Sequence, residues 1–119
     1  VVCAQARARE RVAREHVEKL LTDQPDMCGL FISGGGVTGA IAALRATPKR
    51  EDFVTVGYEL FEDTRAALID GTISLILSHP IERFASETIA TLVKAKNAGP
   101  DNGVFRITFP FDMYSPESV

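Results

Sequence analysis

The sequence predicts an α/β protein, a three-layer open parallel sheet with helices on both faces. Three observations point to it. Short apolar runs at Gly29 to Ser33, 53–59, 73–78 and 104–109 recur at intervals too long for hairpins. The stretches between them carry apolar residues at helical spacing. Turn signals separate the two kinds of segment, clearest in "TDQPD" at 22–26 and "AGPDNG" at 98–103.

In chain order, Arg7 to Leu21 sets Ala13, Val17, Leu20 and Leu21 on one stripe and predicts a helix. A strand from Gly29 to Ser33 follows. Val37, Ala40, Ile41 and Leu44 then stand at i, i+3, i+4 and i+7, a helix ended near Thr47 and Pro48. "FVTVGYE" at 53–59 is rich in β-branched and aromatic residues and reads as a buried strand. Phe61 to Asp70 is a helix closed by Gly71, placed where a left-handed cap residue belongs. "ISLILS" at 73–78 is too short for a helix and too apolar for an edge, which predicts a central parallel strand. Ile81 to about Ala98 is helical with Ala85, Ile89, Leu92 and Val93 inward, and "VFRITF" at 104–109 is the last strand before a proline-containing tail. Crossovers of these lengths require parallel pairing and right-handed connections.

A chain of 119 residues suits one small domain or a piece of a larger one. With 24% charged and 45% apolar residues, its composition is that of an ordinary globular protein. Thirteen basic against sixteen acidic residues leave a net charge of −3, which argues against a nucleic-acid-binding surface. Arg7, Arg9, Arg11 and Arg14 are interrupted by Glu10 and Glu15, the pattern of a solvated helix face. Cys3 and Cys28 have neither metal-ligand nor disulfide-scaffold spacing, so reduced thiols and a cytoplasmic location are expected. No apolar run approaches the ~20 residues that span a bilayer, and no membrane partner is expected. Catalytic patterns are thin. Ser33 is not in a G-x-S-x-G elbow, because Phe31 occupies the first glycine position. No metal-ligand cluster or paired carboxylates stand out, so no catalytic residue, metal or cofactor is expected.

Open parallel sheets collect ligands at the carboxyl ends of their strands. Those ends carry Ser33 and Gly34, Tyr58 and Glu59, and Ser78 and His79. Gly34, Gly36 and Gly39 also fit G-x-G-x-x-G, whose glycines cradle a pyrophosphate at a helix N-terminus. The match lacks context, since a long helix precedes it and Glu59 lies 25 residues beyond Gly34, later than the usual ~20. Glu59 is either a solvated strand-end carboxylate or an acceptor for ligand hydroxyls. His79, before Pro80, is either structural or a pocket residue. His16 sits in a charged helix and reads as exposed or half-buried.

The whole chain resembles the effector-binding domain of the LacI/GalR family of transcriptional regulators, which is related to periplasmic sugar-binding proteins. The resemblance runs through "GLFISGGGVTGAIAALRA", through "FVTVGYE", similar to that family's "VxVVGFDD" strand, and through "ISLILSHPIERFASETIATLV" and the closing "ITFPFDMYSPESV". It covers only the second half of such a domain, and implies that this is a C-terminal fragment, residues 1–119, whose part 104–119 crosses toward a missing N-terminal lobe. By position it implies that Ser33 and Gly34 stand for the family's Asn-Asp pair, Glu59 for its sugar-binding aspartate and His79 for its hinge glutamine. It further implies a sugar or polyol effector, a homodimer with Phe61 and Leu68 in its interface, and DNA contact only through a helix-turn-helix absent from this chain. Two alternatives remain: a periplasmic sugar-binding protein of a transporter, and an NAD(P)-dependent oxidoreductase using the Gly34-Gly36-Gly39 loop.

Overall fold

The computed structural model describes residues 10–99 and 103–119. The chain divides into two units, Val1–Ser78 with Met113–Val119, and His79–Asp112. The helix expected from Arg7 runs over Glu10–Asp23 (α1), and the expectation for 7–9 lies outside the described residues, as does Cys3.

In the first unit the elements alternate as expected: Gly29–Phe31 (β1), Val37–Ala46 (α2), Val54–Tyr58 (β2), Glu62–Ile69 (α3) and Leu75–Ser78 (β3). β1 pairs with β2 and β2 with β3, both parallel, with Phe31 opposite Val56 and Tyr58 opposite Leu77. Asp112–Tyr114 (β4) completes the sheet order β1-β2-β3-β4. The result is an open α/β sheet with helices.

Alternation along the strands decides which face is dry. Thr55, Gly57, Ile76 and Ser78 are buried and share one face. Onto it pack Val37 and Ile41 of α2 and Ala67 and Leu68 of α3, joined by Ile73. A Cβ on Gly57 would stand 2.9 Å from Ile76 Cδ1, so a larger residue there would have to displace the tip of that side chain. α1 lies on α2 through Val17, Ala40 and Ala43. The opposite strand face carries Phe31 and Val54, 56% and 53% exposed. Within this chain α1, α2 and α3 thus cover one face of the sheet, and Tyr114 and Val119 seal the edge of the same core.

The two ends of α3 follow from single residues. Thr64, fully buried, accepts from the Phe61 amide at 2.9 Å and donates to the Glu59 carbonyl at 2.8 Å, closing the first turn. Gly71 has φ +73° and ends the helix in the left-handed conformation expected of it. Leu68 corrects one expectation. It is 0% exposed in the core, so it cannot present itself to a partner, and only Phe61, 41% exposed, keeps a surface for one. Thr64 and Ala67 fill the inward stripe, and Leu68 completes it at i+4.

The second unit departs further. Ile81–Ala98 (α4) is a helix with the expected bounds, but none of its residues is buried. Ile89, Leu92 and Val93, expected inward, are more than half exposed. Helical spacing identifies the face that wants burial and does not supply its cover. The strand expected at 104–109 is also absent: 103–111 forms no ladder, and Val104 is 93% exposed. A β-branched run becomes a strand only beside a partner edge. Phe84 and Phe109, rings 5.1 Å apart, join α4 to this segment.

Candidate functional site at the strand ends

The carboxyl ends of β1, β2 and β3 bring Ser33, Gly34, Glu59 and Ser78 to one rim of the first unit. Ser33 and Gly34 are exposed in the turn after β1, held by the Ile32 amide bonding the Val56 carbonyl at 2.8 Å. His79 is exposed and opens the second unit, so its place is given by the chain alone, directly after Ser78.

Glu59 is the most constrained residue of the rim. Its φ is +65°, and it is the one non-glycine residue with positive φ among the described residues. That conformation costs an L-residue about 1–2 kcal/mol. It is enforced from both sides, by the Glu59 amide on the Leu77 carbonyl at 2.8 Å and by the Thr64 hydroxyl on the Glu59 carbonyl. The carboxylate accepts from Ser78 Oγ at 3.2 Å, and Ser78 Oγ accepts from the Leu60 amide at 3.4 Å. The side chain is thereby held at the end of β2 by Ser78, and a carboxylate in that place is of the type that accepts from hydroxyl groups.

Of two aromatic residues at this end, Tyr58 was read as a strand end only and Phe31 was not placed at the rim. Phe31 and Tyr58 stand edge to face with centroids 5.7 Å apart. Period-two alternation and the β1–β2 register place them on the same sheet face, the signal that would have found them. Ser78 was read as a strand end only, and its bond to Glu59 gives it a positioning task.

The glycines after β1 have separate reasons. A Cβ on Gly34 would meet nothing within 4 Å, so the turn there is open. Gly36 has φ +86°, and its Cβ would fall 2.6 Å from Ala13 Cβ. Gly39 lies against the α1 backbone, where a Cβ would overlap the Glu10 carbonyl. In the dinucleotide fingerprint the last glycine serves helix–strand packing. Here Gly36 and Gly39 serve the approach of α2 to α1, which accounts for the spacing. Among the described residues no group of three His, Cys, Asp or Glu is placed to hold a metal, and no helix is long and apolar enough to cross a membrane.

No protein-family model and no curated protein matches the sequence. Solved structures do match its fold. A solute-binding protein of an ABC transporter from Agrobacterium vitis with bound D-fucose is similar at TM-score 0.82 and 17% identity, over 98% of this chain and 40% of that one. A glucose-galactose binding protein from Geobacillus stearothermophilus is similar at TM-score 0.81 and 14% identity, over 97% and 41%. A sugar-binding protein of an ABC transporter from Bacillus halodurans follows at TM-score 0.74 and 17% identity, over 93% and 41%. The chain therefore has the fold of half of a periplasmic-binding-protein-like domain, and spans about two fifths of the solved chains it matches.

Proposed function

We propose that the rim binds a sugar or polyol, with Ser33, Gly34, Glu59 and His79 on this side of the ligand and the other wall supplied by a lobe outside this chain. The observation that carries the reading is Glu59, a carboxylate held in strained backbone at a strand end. Strain of this kind persists where surrounding bonds over-determine it, and it collects at ligand-binding sites. The names of the solved neighbours, which are sugar-binding proteins, support the same ligand class. In this reading segment 104–111 and the uncovered stripe of α4 belong with that lobe, which explains why Ile89, Leu92 and Val93 lack cover, whereas Tyr114 and Val119, the end of the expected 104–119 crossing, pack on the core of the first unit.

Within that reading, the resemblance favours a cytoplasmic LacI-type regulator. Closure on the effector shifts a two-state equilibrium that a distant DNA-binding head senses. Its homodimer would use Phe61, and an unchanged dimer dissociation constant in Phe61→Glu would remove that assignment. The second reading, a transporter's solute-binding protein, is favoured by the ABC-transporter neighbours. Coding sequence upstream of Val1 separates the two: a helix-turn-helix supports the regulator, a secretory leader the transporter. The ligand class is tested by calorimetric titration with glucose, D-galactose and D-fucose, where binding lost in Glu59→Ala supports the reading and no binding of any sugar or polyol removes it.

A further inference from the structure

At the amino ends of the strands, opposite the rim, the first unit has a half-open cavity of about 430 Å³. The end of α2, the loop into β2, the turn after α3 and Leu21 of α1 surround it. Thr55 and Glu59 lie four residues apart on and just past β2, so about 13 Å separates this cavity from the rim. The volume falls in the range of small-molecule sites, which combine apolar walls with a few convergent polar groups. Leu21, Leu44, Pro48 and Phe53 form such walls.

The polar groups are unequally engaged. Arg45 is spent on Asp70, with Nη2 at 2.6 Å and Nε at 3.0 Å. Arg50 bonds the Pro25 carbonyl at 2.9 Å, lies 3.6 Å from Asp52 and covers the Phe53 ring. Lys49 has no hydrogen bond or ion pair with any described residue, and it crosses Gly71 so closely that a Cβ there would stand 2.8 Å from Nζ. Asp70 offers Lys49 little, since the Thr72 amide and hydroxyl and Arg45 already fill it. Thr55 is 1% exposed and lines the cavity, yet its hydroxyl bonds no described residue. Because no fully buried polar atom among the described residues lacks a partner, what remains accessible of Thr55 includes that hydroxyl.

We propose that this cavity is a second ligand site, for a small organic monoanion with an apolar body, of the aryl carboxylate class. Lys49 supplies the charge, the Thr55 hydroxyl a donor from the floor, and the leucines, Pro48 and Phe53 the surface for the ring. Arg45 is paired with Asp70 and Arg50 with Asp52, which leaves Lys49 as the cation of the lining with no ion pair to a described residue.

The test is a titration of the isotope-labelled chain with sodium benzoate, followed by the amide resonances, with benzamide as the neutral control at matched ionic strength. The proposal expects saturable shifts at Lys49, Thr55, Gly71, Thr72 and Ser74 with Kd of about 1 mM or tighter. It expects benzamide to bind at least about tenfold more weakly, and Lys49→Gln and Thr55→Val each to weaken benzoate. Glu59→Gln, at the rim, should leave benzoate binding unchanged. Absence of saturation, equal binding of benzamide, or an unaltered Kd in Lys49→Gln overturns the proposal. Because Lys49 is exposed, that variant folds as the parent does, and the outcome stands whatever Thr55→Val does to the core.

Discussion

Gly39→Ala tests whether the glycines after β1 are there for α1. A Cβ at Gly39 would overlap the Glu10 carbonyl oxygen and stand 2.8 Å from its carbon and 3.1 Å from the Arg14 nitrogen. All three are backbone atoms of one helix, so relief requires α1 to move as a body, by about 1 Å, off Val17, Ala40 and Ala43. Overpacking of this kind costs about 1–3 kcal/mol. Alanine returns about 1 kcal/mol through its helix propensity. Because the overlap falls on helix backbone, the cost lies at the upper end of that range, and the net loss is about 2 kcal/mol, or roughly 8 °C in Tm for a chain of this size. Gly34→Ala is the matched control, with ordinary φ and open space, and is expected within about 0.5 kcal/mol of the parent or slightly above it. Urea and thermal unfolding followed by circular dichroism measure both. A Gly39→Ala protein as stable as its parent would refute the close approach of α1 and α2, and reopen the pyrophosphate reading of the motif.

Three further outcomes follow from the bonds around the rim and cavity. Thr64→Val keeps the shape but strips partners from the Phe61 amide and Glu59 carbonyl, and is expected to cost about 1–3 kcal/mol in urea unfolding; a cost below 0.5 kcal/mol would deny the cap its role. Glu59→Gly relieves a φ of +65° and should raise stability by about 1 kcal/mol while sugar binding falls, and a loss of both would show that Glu59 is a structural residue. At Asp70 burial pushes the carboxyl up, but bonds from Thr72 and Arg45 outweigh it and hold it below its ordinary value of 3.8. Its stabilisation is therefore present above that value and lost as pH falls through the lowered one; the group is exposed, so this amounts to under about 1 kcal/mol. Asp70→Asn should flatten the acid side of the stability profile below about pH 4, and an unchanged profile would contradict it.

Much of the fold was legible because local signals agreed. The stripe Val37, Ala40, Ile41, Leu44, the cap at Gly71 and the β-branched run at 53–59 each pointed to the element found. The rim followed from topology, since parallel strands put Ser33, Glu59 and Ser78 at one end whatever their side chains do. What failed depended on partners that local sequence does not name. The resemblance implied Leu68 in a dimer interface, and the core holds it instead. "VFRITF" has strand composition and no neighbouring strand to bond. The positive φ of Glu59 had no signal, because glutamate is a poor candidate for that conformation and only the bonds from Thr64 and to Leu77 impose it. The cavity was invisible for a simpler reason: Leu21, Lys49, Thr55 and Ser74 share no motif and meet only through the crossovers.

The central claim is that the rim is a sugar site built around Glu59. Its most direct measurement is thermal and calorimetric titration of the protein, in parent and Glu59→Ala forms, against sugars, polyols, NAD and NADP. The account predicts that at least one sugar or polyol raises Tm through linkage. It also predicts that Glu59→Ala weakens that binding by about 1.5–3 kcal/mol, the loss of a hydrogen bond to a charged group. Stabilisation by NAD or NADP alone, abolished by Gly36→Val and indifferent to Glu59, would contradict it.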